Sequence, residues 1–137
     1  MVESIMVPVD LAHKDILNVA MSEAANLAKA NGAKLTIVGV TDTAPNEVAH
    51  NPKEFEAKLL AYSNEIAERV GVSVEAKSLV DVDVTADLGS VLIKAANDMG
   101  VDLIVMASHV PGFMEHIIAS NAGYVASHAK CSVYVVR

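Results

Sequence analysis

The residues with most to offer chemically lie in two stretches. Asp10 closes the apolar run Ser4-Ile5-Met6-Val7-Pro8-Val9. A carboxylate just past a buried strand can accept hydrogen bonds from a ligand's amino group or hydroxyl, or can cap the turn that follows. The second stretch is MASHVPGFMEHIIASNA, from Met106 to Ala122. Its end predicts an N-cap at Ser120, with the hydroxyl and the amides of Asn121 and Ala122 gathered at the positive end of a helix, where a phosphate is welcome. Without a ligand the same cap would still contribute about 1 kcal/mol to the helix. His109 could donate to a phosphate, although a lone loop histidine is more often structural. The middle, from Val110 to Ile118, has one glycine (Gly112), no Lys or Arg, and Glu115, which would repel a triphosphate. Its Phe113, Met114, Ile117 and Ile118 suit packing better than phosphate gripping.

Other chemistries find little support. His109, His116 and His128 show neither an i, i+4 pair on an evident helix nor thiolate company, so no metal ligand is assigned. Cys131, the single cysteine, has no evident activating base and reads as a structural thiol. No acid–base pair or triad is visible, so no catalytic residue is assigned.

Composition sets the frame. The chain has 137 residues, 53% hydrophobic but only 4% aromatic, with no Trp. That length suits one domain, residues 1–137, whose core is built from Val, Ile, Leu, Ala and Met. A formal net charge of -7 opposes long-range attraction to nucleic acid or anionic lipid. No basic and apolar leader opens the chain and no apolar run is long enough to span a bilayer, so the expectation is a cytoplasmic protein with no membrane or nucleic-acid partner.

The elements that must position these residues follow from periodicity. Lys34-Leu35-Thr36-Ile37-Val38-Gly39-Val40 reads as a second buried strand. Between the two strands Ile16, Leu17, Ala20, Ala24, Leu27 and Ala28 mark a helix that stops at Asn31-Gly32. A polar loop to Pro52 precedes a helix over about Lys53 to Val70, with Phe55, Leu59, Tyr62, Ile66 and Val70 on one face. Ser73 to Val80 resembles an edge strand. A helix over Thr85 to Asp98 leads to the most apolar strand, Asp102 to Ala107. The last helix, about Ser120 to Ala129, precedes a final strand, Cys131 to Val136. Five strands alternating with four helices predict right-handed crossovers and a three-layer α/β fold with a mostly parallel sheet. Ligands of such sheets bind at the strands' carboxyl ends where the winding reverses. Those ends here are Val7-Pro8-Val9-Asp10 and Met106-Ala107-Ser108-His109.

At these residues the chain resembles the universal stress protein family. The likeness is carried by Ile5 to Asp10, by Asp87-Leu88-Gly89-Ser90-Val91-Leu92, by Asp102 to His109, and by the ending Ser127 to Arg137, in this order and spacing. It implies a Rossmann-like sheet of order 3-2-1-4-5, as in adenine nucleotide alpha hydrolases. It also implies a homodimer whose last strands, residues 131–137, pair across the axis. That expectation agrees with a final apolar strand that no further element follows.

Nucleotide-binding members carry G-x-x-G, nine residues, then G-[ST]. Here Ala107, Val110 and Ala119 stand at the glycine positions, the spacer is one residue shorter, and only Ser120 remains. The form A-S-H-x-P followed by S-N-A nevertheless looks like a subgroup of small bacterial members, some of which bind nucleotide. The resemblance therefore implies a stress-response module that binds ATP or another adenine nucleotide weakly or conditionally, with Mg²⁺ if ATP. Its site would comprise Pro8, Val9, Asp10, Val40, Met106, Ala107, Ser108, His109, Ala119, Ser120, Asn121 and Ala122. Val40 would wall the adenine, and is equally readable as ordinary core. If the third glycine position needs a positive φ, Ala119 would strain the loop. Two rivals stand beside this reading: a dimeric interaction protein that binds no nucleotide, and a slow Mg²⁺-dependent ATPase with Asp10 or His109 near the phosphates.

Overall fold

A computed structural model describes residues 2–108 and 117–137, with the backbone alone at 85 and 117–120. Its strands are β1 (Ser4–Pro8), β2 (Lys34–Thr41), β3 (Val74–Val80), β4 (Leu103–Ala107) and β5 (Ser132–Val136). Its α-helices are α1 (Asn18–Asn31), α2 (Pro52–Val70), α3 (Val84–Met99) and α4 (Ile117–His128). The strands form one sheet in the order β3-β2-β1-β4-β5, and every pairing is parallel. The sheet expected from sequence as mostly parallel is wholly so. Ile5 pairs with both Leu35 and Leu103, so β1 is the central strand and is buried on both faces.

Alternation along the strands splits the core into two layers. Ile5, Val7, Leu35, Ile37 and Val105 face α1 and α2, where they meet Leu17, Met21, Leu59 and Ile66. Met6, Val38, Ile104 and Met106 face α3 and α4, where they meet Leu88, Leu92 and Val125. The apolar face expected for α2 is buried at Phe55, Leu59, Tyr62 and Ile66. Helices α1, α2 and α3 each stop at a glycine in the left-handed region, Gly32, Gly71 and Gly100.

Two helix boundaries differ from the sequence reading. The first helix is preceded by a 3-10 helix, Leu11–Leu17, whose backbone leaves helical geometry at His13. Asp10 is responsible: Oδ1 accepts from the Ala12 N–H at 3.0 Å while Oδ2 holds the His13 Nδ1 at 2.9 Å, tightening the turn before α1 starts. The last helix begins at Ile117, three residues before the expected cap.

Helices α3 and α4 cross at Gly89. A Cβ built there would lie 2.4 Å from Tyr124 Cδ1 and 3.1 Å from Asn121 Oδ1. Only a hydrogen fits between the two helices at this point. Gly89→Ala should therefore lower stability despite the roughly 1 kcal/mol that alanine gains over glycine in a helix, because overpacking costs about 1–3 kcal/mol. Urea denaturation checks this, and adding Tyr124→Ala should recover the loss.

Candidate functional site

The cleft opens where the carboxyl ends of β1 and β2 separate. The Val9 N–H donates to Val38 O at 2.8 Å, the last bond of that ladder, and beyond it Asp10 turns away. A cavity of about 210 Å³ lies in the gap. Val9, Val38 and Val40 form its floor, Phe55 one wall, and Val84, Leu88 and Leu92 of α3 the opposite wall. Phe55 reaches the floor because β2 has a glycine beneath it: a Cβ on Gly39 would lie 2.8 Å from Phe55 Cζ.

The polar rim comes from Asp10 and from the loop after β2. Asn46 organises that loop: its Nδ2 donates to Thr41 Oγ1 at 3.2 Å, and its Oδ1 accepts from the N–H groups of Val48 and Ala49, each at 3.0 Å. Asp42 Oδ1 accepts from the Ala44 N–H at 2.9 Å. The loop is tied down to α2, whose N-cap Asn51 accepts from Glu54 N–H at 2.8 Å. Glu54 Oε2 in turn accepts from the His50 N–H at 3.1 Å, and Lys58 donates to Val48 O. The backbone N–H of His50, then its ring and Lys58, hold the Glu54 carboxyl below its ordinary range. On the α3 side, Asp83 caps the helix by accepting from Ala86 N–H at 3.2 Å, and Asp81 donates its N–H to Thr41 O at 2.9 Å. Asp81, first by a hydrogen bond and then by its charge, raises the Asp87 carboxyl above its ordinary range, with burial and Asp83 adding to the shift.

The expected site residues divide. Val9, Asp10 and Val40 line the cavity. Pro8, Met106, Ala107 and Ala122 are buried and are not among the residues lining this cavity. Ser108 is half-buried, its N–H drawn to Val136 O at 2.7 Å as a continuation of the β4–β5 ladder. The described lining thus gathers at the ends of β1 and β2, with walls from α2 and α3, whereas the sequence reading looked between β1 and β4. His109 and the stretch to His116 lie outside the described residues.

Ala119 and Ser120 fall in the first turn of α4, which corrects the cap expected at Ser120. With Ile117 as the first helical residue, the N–H groups of Asn121 and Ala122 are committed to the carbonyls of the preceding turn. Ala119 stands in right-handed helix, where alanine carries no steric strain. Asn121 lies against α3 at Gly89.

Sequence reasoning missed Leu11, Ala12, Val38, Thr41, Asp42, Asn46, Glu47, Val48, Phe55, Val84, Leu88 and Leu92 as lining residues. Asp42-x-Ala44 and Asn46-x-Val48 carried a usable signal, since such side chains bond the backbone two residues on. Among the described residues no three His, Cys, Asp or Glu side chains gather as a metal site. Burial first of all raises the free Cys131 thiol above its ordinary value. No helix among the described residues is long and apolar enough to cross a membrane.

Comparison with known proteins places this geometry in a family. A model of the universal stress protein family matches residues 1–137. The chain belongs to the universal stress protein family. A relative from Staphylococcus haemolyticus bearing that family name is 30% identical over 148 residues, covering 98% of this chain and 84% of its own. Among solved structures, a universal stress protein in complex with cAMP superposes with a TM-score of 0.72 at 19% identity, covering 99% of this chain and 97% of that one. The universal stress protein of Archaeoglobus fulgidus in complex with dAMP gives 0.66 at 20% identity, with both chains covered completely. At such identities the structures establish the shared Rossmann-like fold.

Asn46→Ala removes one hydrogen bond to Thr41 and leaves two loop N–H groups without their acceptor. Asn46 is exposed, so water can replace its bonds and the loss of stability should be about 0.5–1.5 kcal/mol. Amide exchange at Val48 and Ala49 should accelerate, while exchange in β4 stays slow.

Proposed function

We propose that this universal stress protein is a stress-response regulatory module of the cytoplasm that binds an adenine nucleotide through its nucleoside part, weakly or conditionally. The observation that carries the reading is the apolar slot between Val40 and Leu88 with Asp10 at its rim. A flat base suits a slot walled by Val9, Val38, Val40, Phe55 and Leu92. Asp10 already accepts from Ala12 and His13, yet each carboxylate oxygen has a second lone pair for an amino group or ribose hydroxyl. Relatives of this fold are solved with cAMP and dAMP. At about 210 Å³ the cavity is smaller than the roughly 300–1,000 Å³ usual for a small-ligand site, which supports modest affinity and a sugar projecting from the mouth. The nucleoside part of ATP fits the lining; its phosphates find no Lys or Arg there, and Mg²⁺ would come with them as their counter-ion.

The small volume also favours a second reading, an interaction protein that binds no nucleotide. Calorimetric titration with adenosine, AMP and ATP separates the two. Adenine compounds should bind with dissociation constants in the micromolar to millimolar range, about -8 to -4 kcal/mol. Filling the slot with Val40→Phe should weaken them by at least about tenfold, the equivalent of roughly 1.4 kcal/mol. Flat titrations with the unaltered protein would leave the interaction reading.

The homodimer belongs to the same proposal. Strand β5 pairs with β4 on one side only among the described residues, and carries half-buried Val133 and Val135 and exposed Tyr134. An open apolar edge invites pairing with a second copy. Sedimentation equilibrium should show a dimer at micromolar concentration, and a monomer throughout would refute it.

A further inference from the structure

The rim charges bear on which adenine compound the site takes. Three carboxylates, Asp10, Asp42 and Glu47, line the cavity, and no Lys, Arg or His is among the described lining residues. The α3 wall adds more of the same sign. Asp81 is bound through its N–H to Thr41 O, Asp83 caps the helix that supplies Val84, Leu88 and Leu92, and Asp87 lies one turn further along α3. Asp81, by a hydrogen bond first and by its charge second, holds the Asp87 carboxyl above its ordinary range.

Lys14 and Lys58, the lysines nearby, have partners of their own. Lys14 Nζ lies over the Tyr62 ring, 5.4 Å from its centroid. Lys58 bonds Val48 O and pairs with Glu54 at 3.3 Å. His13 faces Asp10. A ligand that brings phosphate charge to this mouth meets repulsion on the β2 side and on the α3 side.

Resting on the nucleoside-site reading above, we infer that the site selects uncharged adenine nucleosides over nucleotides, and that discrimination grows with each phosphate charge. The apolar slot binds the base whatever follows it, while the carboxylate rim penalises the phosphates. Such a penalty is electrostatic and therefore screened by salt, whose Debye length falls from about 10 Å at 0.1 M to about 3 Å at 1 M.

The test is equilibrium dialysis of the full chain with adenosine, AMP and ATP in EDTA, at low and high NaCl. Adenosine should bind at least about tenfold more tightly than ATP at low salt, with AMP between them, and the gap should narrow as salt rises. Asp83→Asn/Asp87→Asn removes two rim charges outside the lining and keeps a good helix cap, so it should tighten ATP by about threefold or more while adenosine holds steady. ATP binding as tightly as adenosine, or a gap indifferent to salt, would overturn the inference and leave the nucleoside site intact. Absence of binding by all three compounds would overturn both.

Discussion

The bond from Val9 N–H to Val38 O fixes where the sheet stops and the site starts. Up to it, β1 and β2 run in register and close-packed; past it, the two chains part because Asp10 draws its chain into a 3-10 turn. Everything in the cleft depends on that parting. The floor is the last stretch of two strands, the rim is the turn each strand makes, and α3 closes the far side because β3 delivers its chain there through Asp81 and Asp83. Three valines and a phenylalanine would collapse on one another if the walls were free to move. They are held apart by the Asn46 network on one side and by the α3 cap on the other.

Close backbone approach has a second role in the same architecture. Gly39 lets Phe55 rest on β2, and Gly89 lets Tyr124 rest on α3. Both glycines have ordinary φ, so their value lies in the missing side chain and owes nothing to backbone freedom. One sets the position of a cavity wall and the other sets how α4 approaches the helix that forms the opposite wall. Packing on both faces of the sheet thus bears on one small volume.

Much of the fold was readable from residue order. Leu59, Tyr62 and Ile66 repeat at helical spacing and are buried together, and Gly32 follows the last turn of α1 as the sequence indicated, as Gly71 and Gly100 do for α2 and α3. Strand order came from the family likeness, since periodicity alone does not say that β4 crosses to the far side of β1. The site was legible only at Val9, Asp10 and Val40. Phe55 and Leu88 are ordinary apolar helix positions in sequence; they become walls only because helices from two layers converge above β2. Ser120 was misread for a local reason: Ile117 and Ile118 are acceptable helix residues, and nothing in S-N-A prevents the helix from starting a turn earlier. Met106 and Ala107 lie at a strand end, as expected, but the ladder continues through Ser108 to Val136 and keeps them under cover.

The central claim is that the cleft at the ends of β1 and β2 receives a nucleoside. Amide chemical-shift mapping of the full chain during addition of adenosine tests it most directly. The account predicts saturable shifts at Val9, Asp10, Val40, Thr41 and Leu88, on both walls of one cavity. Shifts confined to residues after β4, or none at millimolar adenosine, would contradict it.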